Sequence, residues 1–348
     1  MSDSPSAQLP IPPVGHLVWL GPRLSPLAYL AVRAAHDRGG LDRVLLHYDD
    51  LALLDDPLVD DLRIRGVELQ PAALSPLVPG LDAAPEAFVG RPAETWQRLR
   101  ALYVQLGPPN LRSDLVRYHV VWQHGGIYID TDAIALQNLT PLRADPGFAG
   151  LERICFPARV TGSVNPLRWA KAWSLRGLRA VIYRRLADPG RTFAKVEHLY
   201  PLAVNGAVMG GQPQHPLVGR MLDEASDMSV RRALVRSEIG PRLIQRLTDN
   251  RSQPDFVLHP PSAFYPLAPE ICLDYVRDDP EGQLGSTLSD ATYLAHLYDS
   301  VFAKRMAIKV DVPYLCRSRG RTLLARMVAP YLDDLFVAAE RREPAASV

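Results

Sequence analysis

Asp130 and Asp132 stand one residue apart, just after Ile127-Tyr128-Ile129, an apolar run that reads as a short core strand. Side chains alternate faces along a strand, so the two carboxylates share a face if the strand persists through them. Two like charges so close repel each other. A divalent cation relieves that repulsion. Hard oxygen ligands suit magnesium or manganese, and magnesium takes one or two carboxylates together with the phosphates of its substrate. The pair is a candidate metal–diphosphate site; the plain alternative is a solvated turn closing a strand. Upstream, Asp114 and Arg117 lie three residues apart. They make either a surface ion pair worth a few tenths of a kcal/mol or an acceptor and a forked donor aimed at sugar hydroxyls.

The elements that must position these groups are legible around them. Leu111, Leu115, Tyr118 and Trp122 recur at helical spacing, with Asp114 and Arg117 off that stripe. Gly125-Gly126 supplies the stop, because glycine takes a left-handed backbone without steric cost. Nearer the N-terminus, a strand over 14–20, a helix over 24–38 and strands over 43–47 and 66–69 argue for a parallel α/β unit with a ligand at its strand C-termini. Residues 71–92 read as a surface loop and 93–106 as a helix. No Gly-x-Gly-x-x-Gly or Walker-type loop occurs, which excludes typical dinucleotide and P-loop ligands. A nucleotide would have to be held by its base and by a metal on its diphosphate. Trp19, at the end of the first strand, offers an aromatic face for a base, or is simply a core tryptophan.

Composition sets the broad class. The 348 residues are 47% hydrophobic and 22% charged with a net charge of +1, as in an ordinary globular protein, and give no reason to expect a nucleic-acid partner. No run of about twenty apolar residues predicts a membrane span. The start, MSDSPSAQLPIPP, has neither the basic nor the apolar part of a secretory signal, and residues 1–12 read as a disordered tail. Cys155, Cys272 and Cys316 fit neither a disulfide framework nor a zinc motif, so the expected setting is the cytoplasm. Residues 153–195 hold ten basic residues and one acid, a local +9 that leaves −8 for the rest of the chain. Within them 166–187 looks helical, with Trp169, Trp173, Leu178, Ile182 and Leu186 at apolar positions. The segment is an ordinary solvated face, a lid over an anionic acceptor, or a peripheral membrane contact at the inner face. An amphipathic helix expected over 322–342 packs on the domain, dimerises or touches a membrane.

The run Ser113-Asp114-x-x-Arg117-Tyr118, followed by Gly125-Gly126-Ile127-Tyr128-x-Asp130-x-Asp132, resembles the Asp-x-Asp glycosyltransferase family. That family includes the yeast initiating mannosyltransferase, the glucosylating domains of the large clostridial toxins and many bacterial polysaccharide transferases. Further blocks agree in order: His16-Leu17-Val18-Trp19-Leu20-Gly21, Val204–Gly211 with His215-Pro216-Leu217, Ile239–Leu243, His259–Pro266 and Tyr293–Ser300. The resemblance runs from Val14 to about Ser300. Tyr298 and Phe302 depart from it, standing where tryptophans are usual.

The resemblance implies an α/β chain of the GT-A type: a mixed, mostly parallel sheet flanked by helices, with helical additions. It places the catalytic domain over 13–312, a basic helical insertion over about 153–200 that would act on the acceptor, and a helical extension over 313–348. It implies a metal-dependent, retaining hexosyltransferase that uses a nucleotide-diphosphate sugar, UDP before GDP, and an acceptor hydroxyl of unknown identity. Asp114, Arg117, Asp130 and Asp132 would be catalytic. Trp19, Leu20, Asp114, Arg117, Tyr128, Asp130 and Asn205 would bind the donor. Asp130, Asp132, His296 and Ser300 would hold Mn2+ or Mg2+. Two rivals stay open: a binding module that kept the fold without catalysis, and an Asp-x-Asp phosphatase with Asp130 as nucleophile. The phosphatase usually wants Thr or Val two residues beyond the second Asp, where this chain has Ile134.

Overall fold

A computed structural model describes residues 9–75, 93–235, 237–249, 255–306 and 308–342. The strands are β1 (Val14–Trp19), β2 (Arg43–Tyr48), β3 (Glu68–Pro71), β4 (Gly126–Ile129), β5 (Ala133–Ala135), β6 (Gly147–Arg153), β7 (Leu202–Gly211), β8 (Val257–His259) and β9 (Leu294–His296). Seven of them form one sheet in the order β3-β2-β1-β4-β7-β6-β8, and β5 and β9 form a second, two-stranded sheet. β3, β2, β1 and β4 run parallel, β7 is antiparallel to β4 and β6, and β8 runs parallel to β6, so only β7 is reversed.

Both faces of the sheet are covered. Helices α1 (Pro26–Arg38) and α2 (Pro57–Ile64) lie with the C-terminal helices in one apolar cluster. α3 (Ala93–Gln105), α4 (Pro109–His124) and the helices Pro216–Ser226 and Pro241–Asp249 lie in the other. β4 shows the two-residue period that serves two cores: Ile127 and Ile129 enter the first cluster and Tyr128 the second.

The turn from α4 into β4 requires both its glycines. Gly125 has φ +65 and Gly126 φ +102, and a Cβ on Gly126 would lie 2.4 Å from the Val14 carbonyl oxygen. A histidine pair braces the same corner. His47 Nε2–H donates to His16 Nδ1 (3.0 Å), and His16 Nε2–H donates to the Gly125 carbonyl (2.9 Å). Only a neutral His16 can accept from one neighbour and donate to the other. Burial holds it neutral, lowering its pKa to about 4.

Several sequence expectations change. Residues 1–8 of the expected tail lie outside the described residues, but Ile11 is fully buried and exchanges hydrogen bonds with Arg143, so the tail does not reach residue 12. Of the expected loop over 71–92, residues 76–92 lie outside the described residues; Pro71 ends β3, and Ala72 and Leu74 are core. The helix expected over 322–342 is broken. It forms Leu323–Met327, a short 3-10 turn and Leu332–Glu340, interrupted at Pro330, which lacks the N–H a continuous helix needs. Its Leu324, Leu332 and Leu335 are fully buried in the cluster that holds α1, so this segment packs on the domain.

The chain between β6 and β7 is helical, with Pro166–Arg185 as its main element. That helix is rotated from the expectation. Ala172, Leu175, Arg179, Ile182 and Tyr183 face inward, while Trp173, Leu178 and Leu186 are exposed. The reason is Arg179, whose planar guanidinium pairs with Glu270 (2.7 Å) and lies over Tyr200, a buried role for a residue a hydropathy pattern assigns to solvent.

Candidate active site

The site lies at the carboxyl ends of the parallel strands, where open α/β sheets bind ligands. β4 ends at Ile129, and Asp130 N still donates to Ala207 O of β7 (2.7 Å). The chain then turns, with Ala133 N donating to Asp130 O (2.9 Å), and continues as β5 in the other sheet. The expectation that Asp130 and Asp132 share a strand face is therefore corrected: a turn, not a pleat, brings them together. The antiparallel pair β5–β9 sets His296 opposite Ala133, so His296 Nε2 comes 3.1 Å from Asp132 Oδ1 and 3.8 Å from Asp130 Oδ2. Among the described residues, these three form the one set of His, Cys, Asp or Glu side chains whose ligand atoms converge, all within 4.8 Å.

Arg117 is the hub on the other side. Its Nη2 lies 3.0 Å from both Asp114 Oδ1 and Asp130 Oδ1, and its guanidinium sits over the Tyr128 ring. Tyr128 OH donates to Asp130 Oδ1 (2.6 Å) and is 2.9 Å from Ser113 Oγ. Asp114 and Arg117 are buried, at 8% and 4% exposure, so the surface ion-pair reading fails. Two glycines make room for them. A Cβ on Gly206 would lie 2.6 Å from Arg117 Nη1, and one on Gly240 would lie 2.7 Å from Asp114 Oδ2.

Electrostatics separates the carboxylates. Burial raises the pKa of Asp114 to about 6, against the pull of Arg117 and with the push of Asp130. Burial also raises Asp130, with Arg117 opposing and Asp132 adding to the rise. Burial acts the same way on Asp132, but His296 and the Asp299 amide outweigh it and hold this carboxyl below its usual value. Burial would lower His296; Asp132 reverses that and raises it. The two carboxylates thus favour the charged form of the imidazole. The donor set fits a divalent cation: two carboxylates, 26% and 22% exposed, and one imidazole nitrogen facing the same point.

The remaining expected residues fall into three groups. Trp19 and Leu20 stand half-buried at the carboxyl end of β1, with Trp19 Nε1–H donating to Arg23 O (3.0 Å). Asn205 is in the interior of β7. It sits at a bulge: Ala149 pairs with Met209 and Gly150 with Asn205, so residues 206–208 have no partner in β6. Asn205 Oδ1 accepts from Ala207 N (2.9 Å) and holds that bulge, which lets Gly206 reach Arg117. Ser300 is exposed on the first turn of Asp299–Met306, next to Asp299, whose amide donates to Asp132 Oδ2 (2.9 Å).

Sequence reasoning gave no role to Glu152, Gly206 and Gly240, and singled out Tyr298 only as a departure from the family block. Glu152 is buried, its pKa raised by that burial, and it accepts from Tyr298 OH (2.6 Å). Tyr298, at φ +59, stacks edge-on against His296, with ring centroids 4.1 Å apart. The only signal for the glycines was their place in the blocks Val204–Gly211 and Ile239–Leu243, and a lone Glu at a strand end gives none.

Residues 92–149, from the edge of α3 to β6, match a family described as "Glycosyltransferase sugar-binding region containing DXD motif". That stretch is similar to the sugar-binding region of DXD glycosyltransferases. No curated protein sequence matches it. Among solved structures, the PaToxG glycosyltransferase is 14% identical, with 69% of each chain covered and a TM-score of 0.43. The ligand-free glycosyltransferase domain of the YGT toxin is 10% identical, with 92% of this chain and 100% of that chain covered and a TM-score of 0.41. The galactosyltransferase LgtC, in complex with donor and acceptor sugar analogues, is 13% identical, with 82% and 87% covered and a TM-score of 0.31. The sheet of this chain is mixed, mostly parallel and flanked by helices. The matched region contains Asp114, Arg117, Tyr128, Asp130 and Asp132, the residues that Arg117 and the turn draw together.

Proposed function

We propose that the protein is a metal-dependent, retaining hexosyltransferase that takes its sugar from a UDP-sugar and passes it to an acceptor hydroxyl. The observation that carries this reading is the double engagement of Arg117, which ties Asp114 to the first carboxylate of the Asp-x-Asp turn while His296 meets the second. A sugar-orienting pair and a diphosphate-binding pair are thereby fused into one site.

Asp130, Asp132 and His296 would hold Mn2+ or Mg2+, with Ser300 near the same turn, and the cation would neutralise charge on the leaving diphosphate. The chain's own residues do the rest. Arg117 fixes the orientation of Asp130 and leaves Asp114 facing a site that burial has made low in dielectric, where hydrogen bonds to sugar hydroxyls are strong. Trp19 and Leu20, at the carboxyl end of β1, are where the uracil base would lie. The bulge at Asn205 places backbone and side-chain groups beside Arg117, where they would meet the donor sugar. In the transfer, the bond from the anomeric carbon to the diphosphate oxygen breaks and a bond from that carbon to the acceptor oxygen forms on the same face. The acceptor proton passes to the departing diphosphate. The products are a nucleoside diphosphate and a glycoside.

A thermal-shift panel of UDP- and GDP-sugars, each with and without Mn2+, tests the reading. A ligand that binds only the folded state at a hundredfold excess over its dissociation constant stabilises by about 2.7 kcal/mol. The expected result is a shift with a UDP-sugar that needs the metal and disappears in Asp132→Ala. No shift with any nucleotide sugar, or a shift indifferent to Asp132, would overturn it.

A further inference from the structure

The helix Pro166–Arg185 spans twenty residues, about 30 Å at 1.5 Å per residue. Its inner face is fixed firmly. Arg179 pairs with Glu270, Tyr200 OH donates to Leu175 O (2.8 Å), and Arg277 Nη2 donates to Tyr183 O (2.8 Å). Its outer face is also apolar. Leu167 is 76% exposed, Trp173 54% and Val181 55%, with Leu178 beside them. At about 100° per residue Trp173, Val181 and Leu167 lie about 80° or more from the buried Leu175 and Arg179, and Leu178 borders the buried side. Lys171 edges this face, and Arg184 and Arg185 lie on it at its C-terminal end, all exposed. Among the described residues none of Arg168, Lys171 and Arg185 takes an ion pair, and no acid occurs between Ile154 and Ala187.

We propose that this outer face docks the protein on an anionic membrane surface. A helix with an apolar face edged by Lys and Arg lies in the plane of the lipid interface, its apolar side chains at the headgroup–acyl boundary and its cations on anionic headgroups. Tryptophan favours that level, with its body apolar and its ring N–H wet. Here the helix is rigidly mounted, so docking sets the orientation of the whole domain. A second copy fits the same face poorly. A two-fold contact would press this cationic face against its own copy, bringing like charges together at a desolvated surface.

The position of the helix gives docking a consequence for the site. It lies in the connection from β6 to β7, and the pair Arg153–Leu202 is only three positions along from the pair Gly150–Asn205. That is about 10 Å of strand. The membrane would thus lie on the side of the sheet toward which these two site-bearing strands lead. The inference stands apart from the transferase reading, because it uses none of the Asp-x-Asp residues.

Co-sedimentation of the full chain with phosphatidylcholine vesicles, and with vesicles that also contain phosphatidylglycerol, tests it. The wild type is expected to bind the anionic vesicles, more weakly as salt rises, and not the neutral ones. Lys171→Glu/Arg185→Glu should weaken binding roughly thirtyfold or more, taking each basic side chain near the surface at its usual contribution. Trp173→Ser/Val181→Ser should weaken it comparably, with thermal melting unchanged because both side chains face outward. Equal binding to both vesicle types would overturn the proposal, as would retained binding by Trp173→Ser/Val181→Ser. So would a dimer in sedimentation equilibrium that this same double substitution dissociates.

Discussion

Helix α4 and the helix Pro166–Arg185 each carry apolar and charged residues around much of their circumference, and they dispose of them in opposite ways. In α4 nearly every side chain from Leu111 to Trp122 is buried, including Asp114, Arg117 and His119. In Pro166–Arg185 only one side is buried, and tryptophan, leucine and valine face out on the other. A hydropathy pattern misjudges both: it sends the charges of α4 to solvent and draws Trp173 and Leu178 into the core. What decides the matter is the partner. Asp114 and Arg117 have each other, Asp130 and two glycine-lined recesses. Trp173 has a ring contact with Phe156 and the guanidinium of Arg176, but no covering element.

The comparison can be broken most sharply at Arg117. Arg117→Ala leaves two buried carboxylates without their cation. It is expected to cost about 3–5 kcal/mol of stability and to lower transfer about a thousandfold. Arg117→Lys should restore part of the stability and little of the activity, because an ammonium lacks the planar fork. Denaturant unfolding and a transfer assay with the donor that the thermal-shift panel selects check both. Near-normal transfer by Arg117→Lys would reduce this residue to a structural charge.

Asp114→Asn comes next. Burial raises the folded pKa of Asp114 from 3.8 to about 6. The ionised form therefore costs stability, a cost absent below pH 3.8 and complete above about pH 6, worth roughly 3 kcal/mol. The amide removes it. Transfer is expected to fall about a hundredfold or more, while melting at pH 7.5 rises or holds. A variant that is both active and less stable would mark Asp114 as an ordinary structural partner of Arg117.

Acid should strain the α4 corner before the insertion. His16 has a folded pKa of about 4 against 6.5 unfolded, so between those values the unfolded chain binds the proton and the folded chain does not. Stability from this residue is complete above about pH 6.5 and is lost as pH falls toward 4, roughly 3 kcal/mol in all. Urea midpoints of the wild type and of His16→Gln at pH 7 and pH 5 should converge at the lower pH. Parallel pH dependence would show that His16 does not carry the effect.

The smallest test compares the two faces of the insertion helix directly. Leu175→Ala removes an inward side chain and should cost about 2 kcal/mol. Leu178→Ala, exposed, should stay within about 0.5 kcal/mol. Equal losses would mean that both faces are covered.

How much the sequence disclosed follows the same division. The strand and helix order around the site, the glycine stop and the Asp-x-Asp pair rest on local rules of period and backbone freedom, and local rules survive folding. His296 was legible only through a family block, because its approach to Asp132 depends on a strand pairing between distant segments. The geometry of the carboxylates was misjudged because a pleat was assumed where the chain turns. Glu152 was invisible because a buried carboxylate announces itself only through its partner. The rotation of Pro166–Arg185 escaped because a buried arginine, Arg179, held it.

Asp132 holds the opposite strand twice over. Its own carbonyl accepts from Leu297 N (2.9 Å), and its carboxylate accepts from Asp299 N, 167 positions further along the chain. These two amide protons therefore make a matched pair of probes. The first answers to backbone pairing alone, and the second to whatever the carboxylate is doing. With nitrogen-15 labels, the resonance of Asp299 should move when the carboxylate is loaded, protonated or replaced, while that of Leu297 stays nearly still. One residue thus supplies both a sensor and its internal reference.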